Sequence, residues 1–200
     1  QELVQKGLGG FLVRNMESYG ILDAMGLTSR IVLDANIYTM NNRAEAFWMK
    51  KGILGDTVPL ELNAKELAHR NNKNSELTVY GYTPMMVSVQ CVQKTMDHCN
   101  HACVQYVLKD RYQKEFRGVC SCEFCYNTIY NTLPTSLLKE KEKAEKLGVK
   151  AYRLSFTTET QQETEKIVRA FVDVYLRGQK PDGQMQTEET TKGHFQRGVE

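Results

Sequence analysis

No apolar run in the 200-residue sequence approaches the roughly 18 to 20 residues that a membrane-spanning helix needs. The N-terminus lacks the basic, apolar and small-residue order of a secretory signal. A soluble, cytoplasmic protein with no membrane partner is expected. An excess of one charge is missing too: 26 Lys and Arg face 24 Asp and Glu, a formal net charge of +2. That balance removes the overall electrostatic signature of a nucleic-acid binder and leaves room only for a local basic face. No internal repeat or low-complexity run stands out, and the charged stretch at 139–146 (KEKEKAEK) reads as a solvated helix face. Familiar catalytic signatures are absent: there is no H-E-x-x-H, no nucleophile elbow and no local Cys-His protease signature. Cysteine is missing from most of the chain. All six cysteines lie between Cys91 and Cys125.

What is present begins with 41% hydrophobic residues, enough to bury one sizeable core over residues 1–200. The chain opens at Gln1 with QELVQKGL, which reads as the end of a helix begun earlier, so a fragment of a larger barrel is expected. Short apolar runs at 11–13 and 30–33 have the character of buried strands, and each leads into a helical stretch. The pattern continues with a helix over 43–51 ended by Gly52, a strand over 57–62, a helix over 64–69 and a strand over 77–80. It resumes with a helix over 136–147 closed by Gly148, then an alternating strand over 151–156. Thr160 and Glu163 form a capping box for a helix whose apolar face runs from Ile167 to Tyr175, with Gly178, Pro181 and Gly183 ending it.

About five βα units argue for a parallel sheet covered by helices. A complete (β/α)8 barrel takes about 250 residues, so the fold class expected is α/β, either a partial (β/α)8-type barrel or an open parallel sheet. Residues 91–131 break the rhythm with a small hairpin, 106–109 and 115–119 around a turn at 110–113. The cysteines sit on this insertion.

Their spacings are Cys91-x7-Cys99, Cys99-x3-Cys103, Cys120-x-Cys122 and Cys122-x2-Cys125. In a reducing compartment such a cluster is a ligand set rather than a disulfide framework. A C-x2-C step points two thiolates at one ion, and a distant pair completes the shell. Cys122 and Cys125 form the firmest pair, with Cys91 and Cys99 as the other two expected ligands; Cys103 and Cys120 are alternates. Four thiolates suit an iron–sulfur cluster or zinc, and spacing does not choose between them. His98 and His101 stand nearby and can replace a cysteine or support one. Elsewhere, Asp34, Asn36 and Glu61 follow strands, at the sheet end where ligands bind, and are the candidate catalytic residues. Tyr80, at a strand end, and His194 with Arg197, able to clamp an anion, are the substrate-binding candidates. The structural readings of the same residues are helix caps, a satisfied carboxylate and a loose tail.

Several phrases occur in order: Gly10-Phe11-Leu12-Val13-Arg14-Asn15, Asp34-x-Asn36-Ile37-Tyr38-x-x-Asn41, Glu61-Leu62-Asn63 and Val79-Tyr80-Gly81-Tyr82-x-Pro84-Met85-Met86-Val87. Leu108-Lys109-Asp110-Arg111, Cys122-x-x-Cys125-Tyr126-Asn127-x-Ile129-Tyr130-Asn131 and Gly193-His194-Phe195-x-Arg197-Gly198 continue them. As a set spanning nearly the whole chain, they resemble the U32 family of collagenase-like peptidases. The resemblance implies a barrel-like catalytic domain and, by analogy with well-understood relatives, an iron–sulfur cluster. Those relatives hydroxylate RNA bases or a quinone precursor without oxygen, and prephenate is the hydroxyl source proposed for the RNA enzymes. Others are classed as peptidases. Many relatives carry Arg where this chain has Tyr82 and Asn where it has Tyr38, so no substrate contact is carried to those positions.

Three functions are therefore expected in order. The first is an iron–sulfur hydroxylase acting on RNA or a small aromatic molecule. The second is a metal- or thiol-dependent peptidase acting on collagen-like or unfolded polypeptide. The third is a zinc-stabilised binding module without catalysis. A partial barrel would also expose strand edges, for which the missing N-terminal part of the barrel or a second copy is the expected partner.

Overall fold

The first strand forms where the sequence places three apolar residues in a row, Phe11–Val13 (β1). The computed structural model describes residues 5–97, 99–181 and 189–199, so His98 and Gly183 fall outside the described residues, as do the first four of the chain. Asn15 ends β1 and caps α1 (Met16–Ala24) by accepting the Ser18 amide at 2.9 Å. The second βα unit repeats the device: β2 (Ile31–Leu33), then Asn41 accepting the Arg43 and Ala44 amides, each at 3.0 Å, to start α2 (Asn42–Lys50). The third has β3 (Gly55–Thr57) and α3 (Ala64–Ala68), opened by a capping box between Asn63 and Glu66. β4 (Ser75–Gly81) follows.

β1, β2, β3 and the start of β4 pair in parallel, in chain order. The expected parallel sheet with covering helices is what the chain forms. One face of it packs on α1 and α2 through Val13, Ile31, Leu33, Tyr19, Trp48 and Ile53, with the Tyr19 and Trp48 rings edge to face at 4.9 Å.

The expected strand over 57–62 is corrected. β3 lies two residues earlier and carries Asp56 and Thr57, both fully buried. Polar residues are tolerated there because Arg70 is buried beside them and uses every donor it has. Its Nε donates to the Thr39 carbonyl at 2.8 Å, Nη1 to Asn72 Oδ1 at 3.0 Å and Ser75 Oγ at 2.9 Å, and Nη2 to Thr39 Oγ1 at 3.1 Å and to Asp56 Oδ2.

The described chain divides into two compact units, and residues 5–79, 140–153 and 192–199 belong to the first. The second holds residues 80–139 and 154–191. Its main feature is an antiparallel sheet in the order β5-β8-β7-β6, formed by β5 (Pro84–Ser88), β6 (Gln105–Lys109), β7 (Glu115–Ser121) and β8 (Tyr126–Tyr130). The expected hairpin is therefore the β6–β7 half of a four-stranded sheet. A one-turn helix, α4 (Val92–Thr95), follows β5.

The expected helix over 136–147 is also corrected. Residues Thr135–Ser136 form β9, which pairs antiparallel with Gly81 and Tyr80 of β4, and the helix proper is confined to α5 (Lys141–Lys146). β10 (Ala151–Ser155) follows β4 in the sheet order, and α6 (Gln161–Phe171) starts at the capping box of Thr160 and Glu163, then widens into a π turn over Val172–Leu176. Gly81 has φ of +151°, and a Cβ there would stand 2.7 Å from the Ser155 carbonyl oxygen, so only glycine permits this approach. Among the described residues no helix is long and apolar enough to cross a membrane.

Candidate functional site

Three of the six cysteines are gathered on the antiparallel sheet. Cys120, at the end of β7, is wholly buried, and its sulfur lies 3.6 Å from Cys91 Sγ and 3.6 Å from Cys122 Sγ. Three local structures bring them there. Cys91 is the residue before α4, Cys120 pairs with Asn127 across β7 and β8, and Cys122 opens the 3-10 turn Cys122–Phe124. Cys125 closes that turn with φ of +52°, and its thiol donates to the Cys122 carbonyl at 3.7 Å. All six cysteines are free thiols; Cys99, Cys103 and Cys125 are exposed.

The three thiols are not equivalent. The Lys94 backbone amide at the start of α4 is the largest influence on Cys91 and holds it below the ordinary thiol range, against the opposing effect of burial. Burial pushes Cys120 up to about 12, helped by its contacts with Cys122 and Cys91. Both effects favour the protonated thiol at Cys120.

The spacing singled out Cys91, Cys99, Cys122 and Cys125 as ligands; contact brings together Cys91, Cys120 and Cys122. Among the described residues, no group of three or more His, Cys, Asp or Glu is arranged so as to hold a metal ion. The donor chemistry does fit a soft metal: free, closely spaced thiols with a fourth on the adjoining turn.

In the first unit the strand ends carry a row of charges. Asp34 directly follows β2; its Oδ2 meets Arg14 Nε at 3.0 Å, just past β1, and its Oδ1 meets Arg153 Nη1 at 2.8 Å, from β10. Arg153 also pairs with Glu76 of β4, which accepts the Thr57 hydroxyl at 2.7 Å. Thr57 and Glu76 are register partners, opposite in face to the Asp56 and Ser75 pair one step earlier. Asp34 additionally accepts the Ala35 amide at 3.0 Å, so it caps the turn Ala35–Ile37 as well as joining the ion pairs. Arg14, Glu76 and Arg153 were not singled out in the sequence, because paired charges on separate strands leave no local spacing signal.

The other sequence candidates occupy different surroundings. Asn36 is exposed on the turn after Asp34. Glu61 is half-buried in the loop after β3, and among the described residues its Oε2 has no hydrogen-bond partner. Tyr80 is buried, its ring 5.5 Å from that of Phe156 and 6.1 Å from that of Phe171. His194 and Arg197 lie exposed on α7 (His194–Arg197), a single turn anchored by buried Phe195, and His194 Nδ1 is 2.8 Å from the Gly198 carbonyl.

No family model, curated protein or solved structure matches this chain. The resemblance to the U32 peptidases rests on the sequence phrases alone.

Proposed function

We propose that the chain belongs to an iron–sulfur enzyme of the U32 type, whose cysteine-bound centre sits on the four-stranded sheet and serves oxygen-independent hydroxylation of RNA or a small aromatic substrate. The observation that carries this reading is the contact of Cys120 with both Cys91 and Cys122 at 3.6 Å. Three thiols in touch around a buried point are far from the scattered small hydrophobes that unligated cysteines form. The cluster would be held by Cys91, Cys122 and Cys125, with Cys99 as the fourth ligand by spacing or Cys120 by contact. When bound it would supply electron transfer. The first unit by itself offers a substrate the Asp34 and Glu76 carboxylates joined through Arg153, the Glu61 oxygen that has no hydrogen-bond partner among the described residues, and the exposed His194 and Arg197.

A single zinc ion is the second reading, favoured by the same distance. Two thiolates about 2.3 Å from one tetrahedral ion stand about 3.8 Å apart, close to the separations here. Two thiolates on one iron of a cluster stand at a similar separation, so the contact fits either metal and the metal itself decides.

Anaerobic purification of the full chain, followed by iron, sulfide and visible-absorption analysis, tests both. Iron and acid-labile sulfide with a brown chromophore support the first reading. One zinc per chain with no visible band sinks it in favour of the second. Cleavage of denatured collagen that survives chelation, and is lost only in Cys91→Ala among the cysteine variants, would replace both with a thiol peptidase.

A further inference from the structure

A cavity of about 230 Å³ opens on the antiparallel sheet beside the cysteines. Its walls include Met86 from β5, Val92 and Met96 at either end of α4, and Ile129 from β8, a mainly apolar lining. Ser88, Gln90 and Thr95 also line it, and Asn127 and Tyr106 each bring a buried polar atom that lacks a partner among the described residues. Asn127 is buried, its Nδ2 donating to the Gln90 carbonyl at 2.9 Å, which fixes the amide so that Oδ1 is the free end. Among the described residues that Oδ1 has no hydrogen-bond partner, and neither has the buried hydroxyl of Tyr106, which lines the same cavity.

Native proteins rarely leave two such atoms unsatisfied in one cavity. The pair is complementary to one chemical group. Asn127 Oδ1 can only accept a hydrogen bond, whereas the Tyr106 hydroxyl can donate one. A hydroxyl does the reverse of both, donating to the first and accepting from the second. The remaining walls suit a ring, since methionine thioethers are polarizable and make favourable contacts with aromatic edges. An enclosed apolar cavity of roughly 150 Å³ accommodates benzene, so 230 Å³ leaves room for a substituent.

We propose that this cavity is a binding site for a small aromatic alcohol, with its hydroxyl bridged between Tyr106 and Asn127 and its ring against Met86, Val92, Met96 and Ile129. Met86 and Met96 are 56% and 63% exposed, so a ligand enters on their side. The site needs neither metal reading, because its contacts come from the cavity walls alone.

The test uses the full chain labelled with ¹³C at the methionine methyls, titrated with p-cresol and, separately, with toluene. Metal content is measured on the same sample, so that this proposal and the metal centre can fail independently. Saturable shifts confined to Met86 and Met96 are expected with p-cresol, Met85 on the same strand serving as control. Toluene should bind at least about tenfold more weakly, and Tyr106→Phe should weaken p-cresol at least about tenfold. Met96→Trp, a change at an exposed position that fills the mouth without touching the core, should abolish the shifts. Absence of saturable shifts up to the solubility of p-cresol, equal affinity for toluene, or an unchanged affinity in Tyr106→Phe would each overturn the proposal. Any of these leaves an ordered water molecule as the partner of the two polar atoms.

Discussion

A methyl group on Gly118 would stand 2.3 Å from Cε2 and Cζ of Tyr106, its register partner across β6 and β7. The tyrosine ring takes the space that any side chain at Gly118 would need, so the glycine is what lets the ring cross the strand. Gly118→Ala is therefore overpacking at a buried position, expected to cost about 1–3 kcal/mol in a urea melt. The same substitution in a Tyr106→Ala background should cost clearly less, since the clash goes with the ring. Equal costs in the two backgrounds would mean that the ring is not what crowds Gly118.

Arg70 and Asp56 form a buried ion pair whose guanidinium makes further bonds to Thr39, Asn72 and Ser75. Removing one partner leaves an uncompensated charge, so Arg70→Leu is expected to destabilise the chain by about 3–5 kcal/mol. Arg70→Lys should recover little of this, because an ammonium has three donors and no planar fork. The double variant Arg70→Leu with Asp56→Leu should be more stable than Arg70→Leu alone. Denaturation midpoints of the four proteins check the order.

The βα framework was legible because apolar runs such as Phe11–Val13 and Ile31–Leu33 announce buried strands, and because the box of Thr160 and Glu163 marks a helix start. β3 was misplaced for the opposite reason. Asp56 and Thr57 look like loop residues unless Arg70, far along the sequence, is known to satisfy the carboxylate. β5 gave no period of two because its residues are largely exposed, so half the antiparallel sheet went unread. At the candidate site the C-x2-C step falls on the turn Cys122–Phe124. Spacing arithmetic, however, cannot see that the strand pairing of β7 with β8 carries Cys120 between Cys91 and Cys122.

Glu140 gives the fold an acid limit. Burial acts to raise its carboxyl, but hydrogen bonds and charge from Lys143 and Lys192 outweigh this and hold it below the usual carboxylate range. A carboxyl depressed in the folded state binds protons more weakly than in the unfolded chain, so stability rises with pH through that interval. Its contribution is complete above the ordinary glutamate range, near 4.5, and is lost as pH falls through the folded value. Glu140→Gln should flatten this part of the stability profile. Melting temperatures of wild type and variant between pH 3 and 7 should converge toward the acid end.

The two ligand sets differ in one member, and serine substitution separates them. Cys91, Cys122 and Cys125 belong to both, so Cys91→Ser, Cys122→Ser and Cys125→Ser should each reduce bound metal to below about a tenth of wild type, as loss of a thiolate opens the shell. Cys103, exposed and in neither set, should be replaceable without loss. Cys99 and Cys120 decide the fourth position. Cys120 already touches Cys91 and Cys122, whereas Cys99 is exposed, so contact favours Cys120→Ser as the damaging change. A bound cation would reverse the elevation of the Cys120 thiol to about 12, because a coordinated thiol loses its proton outright. Metal uptake by wild type should release a proton that Cys120→Ser does not, measurable in weakly buffered solution at pH 8. Unchanged metal content and proton release in Cys120→Ser, with both lost in Cys99→Ser, would return the ligand set to the one read from spacing. Circular dichroism of each variant ensures that lost metal is not lost fold.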